Sequence, residues 1–313
     1  MTLRAALAAT ALAALATTSA AQAAVSVVDD AGDTVTLPAP ARRVVSLAPH
    51  GTELVYAAGG GATLVGAVSY SDYPPEAKAL PRVGSNTALD LERIVALKPD
   101  LIVVWRHGND GRQVDRLRTL GIAVFHSEPR KVGDVATDLE RLGTLLGTEA
   151  TAHEAAARFR ERIAALRTRY AAAAPVSVFY QVWDRPLMTL NGSHVVSDAI
   201  ALCGGRNVFA GLAPRVPTVS VEAVVAADPE AIVTAHAGAT APAADAPLPD
   251  LAMWRAWPRL TAVERGNLFS IDGDLINRPG PRLADGIDEL CRDLERARSR
   301  RPALRDSGPR PAS

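Results

Sequence analysis

Aromatic and charged side chains recur directly after apolar runs of this 313-residue chain. The four segments that carry them are 69–75, 105–109, 181–186 and 272–279. Aromatic residues are only 4% of the composition, so their concentration at the ends of candidate strands is informative. The flat rings of Tyr70, Trp105 and Trp183 suit a large, partly apolar ring system, while Asp274 and Arg278 can hydrogen-bond its polar edge. The pattern predicts a binding site for a bulky, flat ligand.

Side chains that would support catalysis or phosphate binding lack the spacing that those activities need. The six histidines are scattered, without the H-x-x-x-H or H-E-x-x-H spacing of a metal site, and no G-x-S-x-G nucleophile motif occurs. The glycine runs 59–61 and 204–205 follow predicted helices, so they indicate helix ends instead of phosphate-binding loops. A hydrolase that uses Asp72 or Asp274 with a histidine is an alternative without a supporting motif. The sequence favours a binding protein that is not an enzyme.

Apolar runs alternate with helical patterns along the chain. The run 101–105 is apolar throughout, as expected for a parallel strand covered on both faces. Strand-helix alternation predicts an α/β fold with parallel sheets, which bind ligands at the carboxyl ends of their strands. The first half predicts strands at 43–47, 64–68, 101–105 and 122–125, a turn at 49–51, and helices at 53–58, 91–97, 114–120 and 132–146.

A stretch without glycine or proline, residues 149–174, separates two strand-helix series. It predicts a single helix of about 40 Å, at 1.5 Å per residue. An ordinary surface helix within one domain is the alternative. We expect two Rossmann-like lobes, at 25–146 and 175–298, joined by a rigid connecting helix at 147–174, with the ligand cleft between the lobes.

The two halves share a pattern that favours two similar lobes. Segment 220–233 repeats the residue pattern of segment 90–103 at a constant offset of 130 positions, which aligns Glu222 with Glu92. Junctions of this kind are common in α/β chains, so a chance match is the competing explanation. Together with the long helix, the repeat favours two related lobes.

The chain begins with the features of a secretory signal peptide at residues 1–24. Arg4 precedes an alanine-rich apolar run, which ends in Ala-Gln-Ala at 21–23. A membrane anchor is the alternative, but it needs about 20 strongly apolar residues. We expect export to the periplasm and removal of the signal. The Ala- and Pro-rich stretch 237–249 predicts a surface loop, and the Arg- and Pro-rich stretch 299–313 predicts a disordered tail.

Charge and cysteine content narrow the class of protein further. Lysine plus arginine number 34, and aspartate plus glutamate also number 34, so the chain lacks the basic field that nucleic-acid binding needs. The two cysteines, Cys203 and Cys291, are expected to be bridged because exported thiols oxidise. Two buried thiols or a redox pair are the alternatives, although the C-x-x-C spacing of redox motifs is missing.

Four motifs resemble those of the periplasmic cobalamin-binding proteins that serve ABC importers, which are class III substrate-binding proteins of the helical-backbone receptor superfamily. The motifs are 69–75, 91–101, 105–109 and 203–209. The likeness extends over residues 43–294. The resemblance implies two lobes around a rigid helix with little hinge motion. It also implies a corrinoid such as cobalamin as ligand, no cofactor, a permease with its ATPase as partner, and a monomer when the protein is free.

The resemblance also implies which residues contact the ligand. Tyr70 and Trp105 would line the first lobe's face of the cleft. Asp274 and Arg278 would contact the polar edge of the ligand from the second lobe.

Two further pairs of residues take their roles from the same family. Glu92 and Glu222 match surface glutamates, one on each lobe, that pair with arginines of the permease. A solvated position on a helix is the competing interpretation for either glutamate. Cys203 and Cys291 match the family's disulfide.

The chain departs from the family at three cleft positions. Asn86, Met188 and Val216 stand where the cobalamin binders have aromatic residues. This difference predicts weaker binding or a preference for another corrinoid, such as a cobinamide. Trp183 or Met188 is predicted to supply the replacement contacts.

Haem or a ferric siderophore is the alternative ligand for the same fold. Phenolate and imidazole groups ligate iron. The side chains that could do so are Tyr70, Tyr73, His50 and His107.

Overall fold

The structure, a computed structural model, describes residues 23–236 and 249–302. The predicted signal peptide, apart from its last two residues, lies outside the described residues. So does the predicted loop up to residue 248, and so does the predicted tail from residue 303 onward. Within the described ranges, no helix combines the length and apolarity that crossing a bilayer requires.

The first lobe is built on a four-stranded parallel sheet, as predicted. Its central strands are buried on both faces, which explains why their sequences are apolar throughout. The strand order is β4-β3-β5-β6. A short antiparallel hairpin, β1 (Val25–Val28) and β2 (Thr34–Leu37), precedes the sheet. The sheet strands are β3 (Val44–Ser46), β4 (Leu64–Ala67), β5 (Leu101–Trp105) and β6 (Ala123–Ser127).

Helices cover both faces of this sheet. The first one begins at Pro49 and includes the segment that we expected to be a turn, so that prediction is wrong. The physical reason is that proline in the first helical turn has a suitable φ and needs no N–H partner. The helices are α1 (Pro49–Ala57), α2 (Leu91–Ala96), α3 (Gly111–Thr119) and α4 (Asp134–Leu146), with 3₁₀ turns at Gly61–Thr63 and Pro75–Ala79.

The connecting helix is α5 (Glu149–Tyr170), which ends four residues earlier than residue 174. Its 22 residues span about 33 Å. Arg160 binds Glu140 of the first lobe with both terminal guanidinium nitrogens, at 2.5 and 2.7 Å. Arg162 binds Asp285 of the second lobe at 2.5 Å. One continuous apolar core includes residues of α5 and of both lobes, so the lobes are held in a fixed relation.

The second lobe repeats the architecture of the first. Its parallel sheet has the order β10-β7-β11-β12, and a small hairpin follows its first strand. The strands are β7 (Val176–Gln181), β8 (Trp183–Asp184), β9 (Leu187–Met188), β10 (Gly205–Asn207), β11 (Ala231–His236) and β12 (Leu268–Asp272). The helices are α6 (Val195–Leu202), α7 (Val221–Ala227), α8 (Thr261–Glu264), α9 (Gly273–Ile276) and α10 (Leu283–Ser299), with a 3₁₀ segment at Pro249–Ala256.

The internal repeat seen in the sequence is also a structural repeat. Asp90 and Ser220, 130 positions apart, cap the N-termini of α2 and α7 by accepting backbone hydrogen bonds with their side chains. Lys98 and Asp228, at the same offset, both follow these helices with positive φ angles of 48° and 40°. The equivalent helices of the two lobes, α2 and α7, therefore begin and end in the same way.

Three contacts tie the C-terminal helix and the residues after it to the second lobe. Cys203 and Cys291 form a disulfide, as predicted, which joins the end of α6 to α10. Beyond α10, Arg300 donates to the carbonyl of Gly266 at 2.5 Å, and Arg301 pairs with Glu230 at 2.8 Å. Both arginines fall in the segment assigned to the tail, and in the structure they bind the lobe.

Candidate ligand-binding cleft

The loops at the carboxyl ends of the two sheets face each other and form ion pairs across the gap. Asp72 lies after β4 of the first lobe, and Arg278 follows α9 of the second. Arg278 Nη1 donates to Asp72 Oδ1 at 2.8 Å. Since ligands of open parallel sheets bind at this end of the strands, the gap between the lobes is the candidate site.

Arg278 is the centre of a charged cluster at one edge of the gap. Its Nη2 lies 2.7 Å from Asp274 Oδ1, and its Nη1 lies 3.6 Å from Glu53 Oε1. Partial burial alone would raise the pKa of Asp72, but the hydrogen bond and charge of Arg278 hold that pKa below its ordinary value. The structure therefore brings two predicted site residues, Asp274 and Arg278, into one cluster that also joins the lobes.

A second arginine, Arg282, adds contacts between the lobes at the same edge of the gap. Arg282 binds Glu53 with two nitrogens, at 2.9 and 2.6 Å, and its guanidinium lies 4.0 Å from the centre of the Tyr73 ring. Glu53 is only 3% exposed. Burial raises its pKa above the ordinary glutamate value, and the hydrogen bonds and charge of Arg282 oppose that shift. The two arginines therefore offset part of the cost of burying this carboxylate.

The opposite edge of the gap is closed by different charges. Glu128, buried after β6, pairs with Arg215 of the second lobe and with His107 Nδ1, the latter at 3.1 Å. Nearby, Lys131 Nζ of the first lobe lies 3.1 Å from Asp198 Oδ1 of the second. The backbone N–H of Val132 donates to the other oxygen of the same carboxylate. Ion pairs therefore lie at both edges of the gap. The loops after the central strands lie between them.

Trp105 lies in this middle region, at the end of β5. Its ring meets the His50 ring edge to face, with centroids 5.8 Å apart. A Cβ atom on Gly108 would lie 1.9 Å from Trp105 Cε3, so the indole packs directly on the glycine backbone. The absence of a side chain at Gly108 therefore allows this position of the ring.

Asn109 fixes the loop that carries Trp105. Its side-chain oxygen accepts from Trp105 N at 2.7 Å, and its nitrogen donates to the carbonyls of Leu47 and Asn86, both at 2.8 Å. Asn86 in turn donates to the Gly108 carbonyl at 3.1 Å. In this chain, Asn86 therefore contributes hydrogen bonds to the loop that carries Trp105, instead of an aromatic surface.

Tyr70 is placed differently from Trp105. It occupies the turn after β4 with a positive φ of 65°, and it is 75% exposed. The Ser71 N–H donates to the Val68 carbonyl at 3.3 Å across this turn. The exposed phenol, two residues before Asp72, is free to meet a ligand at the rim of the gap.

The second lobe brings its predicted aromatic and apolar residues together. Trp183 and Met188 are paired across the β8–β9 hairpin, and Met188 also bridges to Thr218. Trp183 is 61% exposed, and its Nε1 donates to the Arg185 carbonyl at 3.1 Å. Val216, two residues before Thr218, is exposed as well. Trp183, Met188 and Val216 thus lie on neighbouring segments that can supply one apolar surface.

The predicted docking glutamates lie in equivalent places on the two lobes. Glu92 is in the first turn of α2, Glu222 is in the first turn of α7, and both are exposed. A backbone hydrogen bond, helped by the Ser220 hydroxyl, lowers the pKa of Glu222, so this carboxylate is charged at neutral pH.

Several residues of the gap carry no signal in the sequence. Glu53 and Arg282 are 229 positions apart, and Glu128 and Arg215 are 87 apart. Nothing local distinguishes such side chains from ordinary surface charges, so sequence analysis missed all four. Asn109 lies inside motif 105–109, but its role in holding Trp105 becomes visible only in the structure.

One buried histidine, His50, and one half-buried histidine, His194, make the stability of the fold depend on pH. Burial lowers the pKa of His50 and of His194 from 6.5 to about 4. The unfolded chain therefore binds more protons than the folded chain between these values, and stability falls as the pH drops from 7 to 5. We expect a loss of about 1.5 kcal/mol per histidine.

Urea unfolding at pH 7 and pH 5, with His194→Gln as the comparison, measures this effect. The variant should lose less stability than wild type on acidification. Asp293, whose pKa burial raises to about 6, contributes in the opposite direction in both proteins. An equal change in the two proteins would contradict the assignment.

Two lobes of parallel sheet around one long helix, with facing loops at their carboxyl ends, define a two-lobed α/β binding protein. The sequence profile of the family described as periplasmic binding protein matches residues 44–275. The chain belongs to this family.

The similar proteins that are known include several vitamin B12-binding proteins. That of Vibrio cholerae is 39% identical over 260 residues, which cover 82% of this chain and 91% of the relative. That of Yersinia pestis is also 39% identical, over 83% of this chain and 89% of the relative. The resemblance found in the sequence motifs is confirmed.

Solved structures agree with this assignment. The crystal structure of the periplasmic vitamin B12 binding protein of Vibrio cholerae matches with a TM-score of 0.75 at 38% identity, over 83% of this chain and 98% of that one. The apo periplasmic heme-binding protein of a Roseiflexus species matches with a TM-score of 0.70 at 23% identity, over 82% of this chain and 99% of that one. The second likeness shows a shared fold alone.

Proposed function

We propose that this chain binds cobalamin or a related corrinoid between its lobes and delivers it to the permease of an ABC importer from the periplasm. The observation that carries the proposal is the set of facing loops, which hold Trp105 on one lobe and the Trp183 hairpin on the other, in a chain 39% identical to vitamin B12-binding proteins. In this proposal the ligand is cargo, and the chain has no resident cofactor.

The residues divide into two groups by their chemistry. Tyr70, Trp105, Trp183 and Met188 supply flat or polarizable apolar surface for the corrin ring. Asp274 and Arg278 meet its polar side chains. Arg278 is already paired with Asp72 and Asp274, so ligand amides would share or replace these hydrogen bonds without leaving the guanidinium buried and unpaired.

Haem is the competing ligand, and the geometry favours it less. His50 is only 2% exposed, and His107 pairs with Glu128 at 3.1 Å. Arg282 stacks on one face of the Tyr73 ring, although Tyr73 is 43% exposed. Of the four candidate iron ligands predicted from the sequence, Tyr70 is the most exposed, at 75%. A haem iron would therefore depend mainly on this one phenol.

Calorimetric titration of the purified chain with cyanocobalamin, dicyanocobinamide and haemin tests the ligand. We expect saturation by at least one corrinoid, with one site per chain, and no saturation by haemin. Saturation by haemin with no heat from either corrinoid would overturn the proposal.

Replacing Trp105 with alanine should weaken corrinoid binding about thirtyfold, which corresponds to about 2 kcal/mol, because a large ring contact is lost. Leu120→Ala is the matched control, since this exposed side chain at the end of α3 lies outside the gap. Equal affinities for both variants and wild type would exclude Trp105 from the site.

Glu92 and Glu222 are proposed to bind arginines of the permease, one from each lobe. The double variant Glu92→Lys/Glu222→Lys should keep corrinoid affinity and abolish stimulation of the importer's ATPase. The variant Glu154→Lys/Glu161→Lys reverses the same number of charges on exposed positions of α5 and should stimulate normally. Unchanged stimulation by the first variant would remove the docking role.

A further inference from the structure

A surface pocket of about 390 Å³ lies beside α7, on the flank of the second lobe. Its lining is mostly apolar, with one acidic and one basic side chain. The lining residues are Val225, Asp228, Ala256, Trp257, Pro258, Arg259 and Leu260. None of these residues belongs to the cleft between the lobes.

The wall of the pocket is held firmly in place. Trp254 is fully buried, and its Nε1 donates to the Gln181 side chain at 2.7 Å. Three residues later, the backbone N–H of Trp257 donates to the Trp254 carbonyl at 2.9 Å, yet Trp257 is 39% exposed. Leu260 N–H donates to the Trp257 carbonyl at 3.0 Å. A large aromatic ring is therefore held at the surface by a segment anchored in the core.

The pocket is continuous with the surface that carries Glu222. Val225 follows Glu222 by three positions on α7, so the two side chains lie on the same helix face. The first lobe repeats this pair as Glu92 and Val95 on α2, with Val95 42% exposed. Each lobe thus presents a carboxylate and, one turn further along, an apolar side chain.

We propose that the pocket receives an apolar side chain of the permease, from the same segment whose arginine pairs with Glu222. This inference rests on the proposed docking role of the glutamates and adds a second contact to it. The occupant follows from charge and continuity. Glu222 selects a cation, and the apolar lining one turn away selects a leucine, methionine or aromatic residue close to that cation.

The two contacts differ in their response to salt. Exposed ion pairs are screened by salt, whereas burial of apolar surface is not weakened by it. Docking that used the glutamates alone would be lost at high ionic strength. With the pocket occupied, part of the affinity persists.

Binding of the chain to the importer of its own organism, reconstituted in nanodiscs, tests the pocket. The variants are Trp257→Ala and Val225→Ser, with Leu120→Ala as the control. We expect Trp257→Ala to weaken docking about tenfold at both 50 mM and 500 mM NaCl. Val225→Ser should weaken it in the same direction, and the control should bind as wild type does. Corrinoid titration of each variant verifies that the protein is folded.

The results separate this inference from the docking role itself. If Glu92→Lys/Glu222→Lys loses binding while Trp257→Ala and Val225→Ser bind as wild type does, the pocket is unoccupied and the inference is wrong. If the glutamate variant also binds normally, the docking role fails and the inference falls with it. Val225 is partly exposed on α7, so Val225→Ser keeps the test valid should Trp257→Ala fail to fold.

Discussion

Removal of the disulfide is expected to lower the free energy of unfolding by about 4 to 5 kcal/mol. Cys203 and Cys291 are 88 positions apart, so the bond restricts a long loop in the unfolded chain. Both residues are fully buried, and they join the end of α6 to α10. The loss is a large part of the stability of an ordinary domain.

Urea unfolding of Cys203→Ala/Cys291→Ala against oxidised wild type measures this loss. Reduced wild-type protein is the control and should show a loss of similar size, because it lacks the same crosslink while keeping its side chains. A difference of less than 1 kcal/mol between oxidised and reduced wild type would show that the bond contributes little to stability.

Breaking the buried pair between Glu53 and Arg282 should have the next largest effect. Arg282→Met leaves a carboxyl group that is 3% exposed without its bidentate partner. We expect a loss of about 3 kcal/mol, at the lower end of the range for such pairs because Arg278 stays within reach of Glu53. Corrinoid affinity should fall as well, since the pair connects the lobes.

The double variant Glu53→Gln/Arg282→Met is the control for this prediction. It removes the buried charge and should recover more than half of the lost stability. The loss in Arg282→Met should also shrink as the pH falls towards 5, because burial raises the pKa of Glu53 and a protonated carboxyl needs no cation. If the single and double variants were equally unstable at pH 7, the stranded charge would not be the cause.

The architecture could be predicted because its signals are local. Continuous apolar runs such as Leu101–Trp105 indicate buried parallel strands, and the repeat at an offset of 130 positions indicates two similar lobes. Each feature can be recognised from short continuous segments, without knowing which distant residues come into contact. The long helix was predicted for the same reason. The left-handed backbone of Tyr70, in contrast, has no signal in the sequence.

The charged edges of the cleft could not be predicted in this way. The position of Arg278 in segment 272–279 predicts a contact with the ligand, yet its structural partners include Asp72, 206 positions away. Pairing at such distances depends on how the finished lobes face each other. Asn109 shows the same limit on a smaller scale, because its hydrogen bonds join three separate loops.

Cobalt anomalous scattering from a crystal grown with cyanocobalamin tests most directly whether the ligand lies between the lobes. The proposed function predicts one strong cobalt peak per chain in the gap bounded by Trp105, the Trp183 hairpin and Arg278. A peak on the outer surface of either lobe, with the gap free of corrin density, would contradict it.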